Sequence, residues 1–105
     1  MKFNNKKIIN LEKIIQYELM KIFSNYQFYK TRNGIITITD VIVTKGLEYA
    51  KVYISFYGTY DINLIMNNIN KCKKNIRFIL AKRIKNKVRI IPDIMFLQKK
   101  ENQII

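Results

Sequence analysis

The sequence predicts a two-layer α+β fold, on three observations. Apolar residues recur at helical spacing near the N-terminus and again from residue 62, two β-branched or alternating runs lie between those stretches, and a third run follows the second helical stretch. Helices and a sheet that are each apolar on one face must bury those faces against one another. The chain has 105 residues, which suits one domain. That domain is expected to span 1–105, with an ordered core of about 8–97 and a short polar C-terminal tail.

The first helix is expected over 8–24. Ile8, Leu11, Ile15, Leu19 and Ile22 recur at steps of three and four and share a face. Glu12, Gln16 and Glu18 fall on the wetter side, and the pattern is that of a core-facing helix. From Ser24 to Gly34 the period breaks, and Asn25, Asn33 and Gly34 favour a loop. Tyr26, Phe28 and Tyr29 in that loop can pin it to the core or stack on bases. Residues 35–44 form a strand by β-branched content. Ile36 and Ile38 share one parity, whereas Val41 and Val43 have the other, so a bulge is expected near Asp40. Lys45-Gly46 suits a turn. Ala50, Val52, Ile54 and Phe56 then alternate with Lys51, Tyr53, Ser55 and Tyr57, a half-buried strand. The short connection makes the two strands an antiparallel hairpin.

Gly58 to Asp61 stops the second strand and offers Thr59 or Asp61 as a helix N-cap. Ile62, Ile65, Ile69, Cys72, Ile76, Leu80 and Ile84 then keep a helical period. The run of about twenty-five residues is long for a globular helix, so a kink is expected at Lys73-Lys74-Asn75, the least apolar stretch. Residues 88–97 read as a third strand, in which Pro92 marks a bulge or an edge.

The chemistry of the chain is one-sided. It carries 20 Lys and Arg against 7 Asp and Glu, a net charge of +13, with no histidine and one cysteine. A compact fold so charged repels itself, and a polyanion relieves the repulsion; nucleic acid is the first candidate and an anionic membrane surface the second. The abundance of Lys, Ile, Asn, Tyr and Phe also matches what AT-rich codons specify, so the placement of the charges has to decide. On a helix, Lys71, Lys74, Phe78, Lys82 and Lys85 fall in one stripe, roughly opposite Ile69, Cys72, Ile76 and Leu80. Lys73, Arg77, Arg83, Lys87 and Arg89 extend the positive field. Phosphates are attracted to such a surface whatever the sequence, and an exposed Phe78 could stack on a base or sugar. The plainer alternative is a solvated helix face with Phe78 tucked under a neighbour. A basic amphipathic helix can also lie on anionic lipid, but here its apolar face is needed by the sheet.

An enzyme is not expected. Without histidine the commonest general acid-base and metal-binding side chain is missing. Cys72 lies on the apolar helical face, where a buried, inert thiol is expected. The carboxylates are scattered, and neither a P-loop nor a dinucleotide-binding glycine motif occurs. No metal, cofactor or small-molecule substrate is implied. No apolar run is long enough to cross a bilayer, the N-terminal stretch lacks the marks of a secretory signal, and a lone cysteine forms no internal disulfide. The expected compartment is the cytoplasm.

Five segments, in order, resemble the ribosome-binding factor A family along nearly the whole chain. LEKIIQYELMKIF, Leu11 to Phe23, is similar to that family's opening helix, with its I-Q-x-E-L core at Ile15 to Leu19. ITITDVIVTK, Ile36 to Lys45, resembles its V-T-x-V-x-V-S strand. LEYAKVYIS, Leu47 to Ser55, resembles D-L-x-x-A-K-V-Y-V-S and is the most specific match. Ile76-Arg77 followed by Ala81-Lys82-Arg83-Ile84 resembles I-R-x-x-L-A-x-R-L, and VRIIPDIMF, Val88 to Phe96, resembles V-R-x-x-P-E-L-x-F. The resemblance implies a type II KH-like fold of order αββααβ, its three-stranded sheet packed against helices. It implies a kink between the second and third helices, near Cys72-Lys73-Lys74, where the family's Ala-x-Gly is absent here. It further implies a monomer that binds the free 30S ribosomal subunit and its 16S rRNA and assists late maturation, including 5′-end processing. The alternative is a general single-stranded RNA-binding KH-like module. The RNA-binding set expected from charge placement is Lys71, Lys73, Lys74, Arg77, Phe78, Lys82, Arg83, Lys85, Lys87 and Arg89.

Overall fold

The computed structural model describes residues 5–25, 34–58 and 61–100. The elements run α1 (Asn5–Phe23), β1 (Gly34–Val43), β2 (Tyr49–Gly58), α2 (Ile62–Lys71), α3 (Lys73–Ile84) and β3 (Asp93–Gln98). This is the expected αββααβ order of a type II KH-like α+β fold. The expected aromatic loop at Tyr26, Phe28 and Tyr29 lies outside the described residues.

The sheet has the order β1-β2-β3. β1 and β2 pair antiparallel, with Ile38 opposite Ile54 and Asp40 opposite Tyr53. Thr39 is thus the extra residue, and the bulge read from the parity switch sits one residue from Asp40. The slip lets Ile36, Ile38, Val41 and Val43 all reach the buried side, and each is almost wholly covered. β2 and β3 pair parallel, which requires a crossover, supplied by α2 and α3. The helices cover one face of the sheet. The core joins Leu11, Ile15 and Leu19 of α1 with Ala50, Val52 and Ile54 of β2, Ile65 and Ile69 of α2, Ile76, Leu80 and Ile84 of α3, and Ile94 and Phe96 of β3.

The side of α1 assigned to water is put to structural use. The Gln16 amide donates to the carbonyls of Ile38 at 3.1 Å and Thr39 at 3.3 Å, the backbone groups beside the bulge. Glu12 accepts the Val43 N–H at 2.8 Å. β1 is an edge strand, so these side chains occupy polar groups that no fourth strand reaches. Glu18 departs furthest from the expectation: it is only 5 % exposed. Its carboxylate accepts from Arg83 Nε at 3.0 Å. Helical period placed it correctly off the apolar stripe, but α3 packs against that flank of α1.

The long second helical run divides at Cys72, at the edge of the stretch expected to kink. Cys72 (φ −89°, ψ 0°) ends α2 and opens α3. Its N–H still reaches the carbonyls of Asn68 and Ile69, and its own carbonyl accepts from Ile76, so the helix bends with its hydrogen bonds largely kept. The thiol is half-buried, not fully buried as expected. Asp61 caps α2, its carboxylate accepting the Leu64 N–H at 3.1 Å. The third strand is shorter than the sequence suggested. Residues 88–92 are irregular, and β3 begins only after the buried Pro92, which has no N–H for a ladder. Arg77 holds that lead-in instead, as described below.

Candidate nucleic-acid interface

Position and burial separate the expected binding residues into four overlapping groups. Lys71, Lys74, Phe78, Lys82 and Lys85 are all exposed, while Ile69, Ile76 and Leu80 on the opposite side are wholly buried. The stripe therefore lies on the outward face of the α2–α3 unit, and the bend at Cys72 leaves it on that face. Phe78 is 56 % exposed rather than tucked away, and the Lys82 ammonium sits over its ring at 4.6 Å from the centroid. This pair places a cation and an aromatic surface side by side, the combination that holds a phosphate and a base or sugar together. Lys82 and Lys85 also lie at the C-terminal end of α3, where its dipole favours cations.

Lys73, Lys74 and Arg77 line a cleft between the start of α3 and the sheet edge, together with Tyr49, Asp93, Ile94 and Met95. Its volume is about 260 Å³. Tyr49 and Met95 are both substantially exposed. Sequence reasoning missed them because each reads as an outward position of an alternating strand; only the parallel β2–β3 register, with Tyr49 opposite Asp93 and Lys51 opposite Met95, brings them beside α3.

The two arginines of α3 are engaged in the fold. Arg77 donates Nη2 to the Ile91 carbonyl at 3.1 Å and Nε to the Pro92 carbonyl at 3.4 Å, and it pairs with Asp93 at 2.9 Å. It thereby ties α3 to the segment leading into β3. Arg83 pairs with Glu18. Burial by itself raises the Glu18 pKa; the Arg83 hydrogen bond and charge, backed by Lys21 and Lys87, outweigh it and hold the carboxyl below its ordinary value. Arg83 thus neutralises a buried charge, and its guanidinium has less to offer a phosphate than the free-standing lysines. Lys87 and Arg89 are exposed beyond the end of α3, on a different recess from the cleft beside β3.

Among the described residues, no acidic group forms an ion pair with a lysine of the stripe. The described ion pairs use Lys21 and Arg83 with Glu18, Arg77 with Asp93, and Lys99 with Asp40, none of them a lysine of α2 or α3. Among the described residues no group of three or more His, Cys, Asp or Glu comes together, and no helix is long and apolar enough to cross a membrane.

A family model described as Ribosome-binding factor A matches residues 7–103. A Chlorobium chlorochromatii protein named Ribosome-binding factor A is 38 % identical over 86 residues, covering 81 % of this chain and 68 % of that protein. The solution NMR structure of a Thermotoga maritima protein superposes with a TM-score of 0.72 at 24 % identity, over 98 % of this chain and 97 % of that one. A homology model of Thermus thermophilus ribosome binding factor A, as fitted into the cryo-EM map of a 30S–RbfA complex, superposes with a TM-score of 0.60 at 16 % identity, over 91 % of this chain and 94 % of that one.

Proposed function

The chain belongs to the ribosome-binding factor A family, and from that premise we propose that it binds the free 30S ribosomal subunit through 16S rRNA and assists late subunit maturation, including processing of the RNA's 5′ end. The observation that carries the reading is the lysine face of α2 and α3, which meets no acidic partner among the described residues, with Phe78 exposed within it. Lys71, Lys74, Lys82 and Lys85 contact phosphates, Phe78 packs on a base or sugar, and Lys73 and Arg77 line the adjoining cleft. Lys87 and Arg89 lengthen the positive surface, and Arg83 acts mainly by holding α3 on α1. The likeness to the coordinates fitted into a 30S complex supports the choice of partner.

In this reading the protein is a cytoplasmic monomer that acts by binding, without turnover chemistry, cofactor, small-molecule substrate or membrane. A general single-stranded RNA-binding module is the second reading. It is disfavoured because KH modules clamp the nucleotide backbone with a glycine loop, and residues 72–74 here are Cys-Lys-Lys. Gradient sedimentation separates the two. An assembly factor co-migrates with free small subunits and is absent from translating ribosomes, whereas even distribution over all ribosomal fractions and free RNA would favour the general module and sink the assembly-factor reading.

A further inference from the structure

A second recess lies apart from the cleft beside β3 and shares none of its described lining residues. It opens where the first turns of α1 meet the β1–β2 turn and the segment after α3, and its volume is about 390 Å³. The floor is aliphatic: Leu11 and Ile14 from α1, Leu47 from the turn, Val88 and Ile90 from the segment after α3. Lys7, Lys87 and Arg89 stand around it, Asn10 adds an amide, and none of its described lining residues is acidic. Leu47 lines this floor with a φ of 59°, a conformation that side chains with a Cβ rarely adopt. Its N–H donates to the Thr44 carbonyl at 2.8 Å, which fixes the turn.

We propose that this recess receives one unpaired nucleotide of the RNA held by the lysine face, its base on the aliphatic floor and its phosphate among Lys7, Lys87 and Arg89. The inference rests on the RNA-binding reading above. Size favours a nucleotide over a peptide, because a cavity near the lower end of the range for small-molecule sites is too short for a helix. The charged residues described on the rim are all cations, which fits a phosphate. The route is continuous as well: Lys82 and Lys85 run along the end of α3, and Lys87 follows in the turn closed by its own N–H to the Ile84 carbonyl at 2.8 Å. A strand leaving the stripe at that end arrives at the recess. RNA is read mainly through splayed, unstacked bases, and the Asn10 amide can both donate to and accept from a base edge.

The test uses the full chain and a short unstructured RNA in which a single abasic site is moved from position to position. With the unaltered protein, one abasic position should weaken binding by about fivefold or more. Ile90→Glu changes an exposed floor residue, and Asn10→Glu changes an exposed residue of α1. Both should remove the discrimination against that abasic RNA while the circular dichroism spectrum is unchanged. Lys82→Glu should weaken intact and abasic RNA alike and keep the discrimination. Equal binding of every abasic RNA by the unaltered protein, or discrimination that persists in both recess variants, overturns the proposal while the lysine-face reading stands. Loss of a leucine-rich acidic peptide's binding in Ile90→Glu, with no abasic effect, assigns the recess to a protein and also overturns it. RNA affinity indifferent to Lys82→Glu and to both recess variants would instead end the RNA-binding reading itself.

Discussion

Glu18 and Arg83 show what single residues contribute. They are 65 positions apart and meet at 3.0 Å. In the sequence both resembled family motif positions, and charge alone suggested solvent for one and RNA for the other. The structure gives both a folding role: a nearly buried carboxylate on α1 needs a cation, and α3 supplies it. Removing that cation leaves the charge only the longer Lys21 contact at 3.8 Å, so Arg83→Ala should cost about 2–3 kcal/mol of stability, measured by urea denaturation at neutral pH. The Glu18 pKa is lowered in the folded state. Its stabilisation is therefore fully present above the unfolded carboxylate range and is lost as pH falls through the folded value. Asp40 behaves alike, since the Lys99 hydrogen bond, at 2.7 Å, leads the causes that lower its pKa despite burial. Between about pH 6 and about pH 3 the melting temperature should fall less for Glu18→Gln than for the unaltered chain; parallel curves would show that the pair adds nothing to the acid sensitivity.

At the scale of elements, periodicity was a good guide where burial is one-sided and a poor one where side chains bond to backbone. The β1 bulge was legible because Ile36/Ile38 and Val41/Val43 could not otherwise share a face. The break near Cys72 was legible because the apolar run was too long for one helix. What satisfies the bulge was not legible: nothing in the spacing of α1 says that Gln16 reaches the carbonyls of Ile38 and Thr39. The start of β3 was also misplaced, because Val88, Ile90 and Ile91 are β-branched or apolar and look like strand. Arg77 occupies the backbone carbonyls of Ile91 and Pro92 with its side chain, and the ladder begins only at Asp93. Gln16→Ala should cost about 1 kcal/mol by leaving those bulge carbonyls without the amide, and amide hydrogen exchange should quicken in β1 before it does in β3. Equal exchange in the two strands would mean that Gln16 does not hold the bulge.

The whole molecule is a sheet with a helical layer on one face and a strongly positive exterior. Excess charge was evident from composition, and its concentration on the outward side of α2–α3 from spacing. Which cations are free for a ligand was not evident. Sequence pooled ten residues; the structure separates exposed lysines of the stripe from Arg77 and Arg83, which brace the fold. Tyr49 and Met95 enter the cleft only through strand register, and the recess at Leu47 only through a turn conformation that no residue pattern announced. Charge that serves phosphate binding should appear as salt sensitivity, with each lost contact removing about 0.7–0.9 from the slope of log affinity against log salt.

The most direct test of the lysine face is therefore a salt titration of binding to purified small subunits, comparing the unaltered chain with Lys74→Glu/Lys82→Glu. Both positions are exposed and outside the core, so the fold should be retained. The slope should become shallower by about 1.5 and affinity at low salt should drop more than about tenfold. An unchanged slope together with unchanged affinity would contradict the account, and the ribosomal contact would have to lie on another surface.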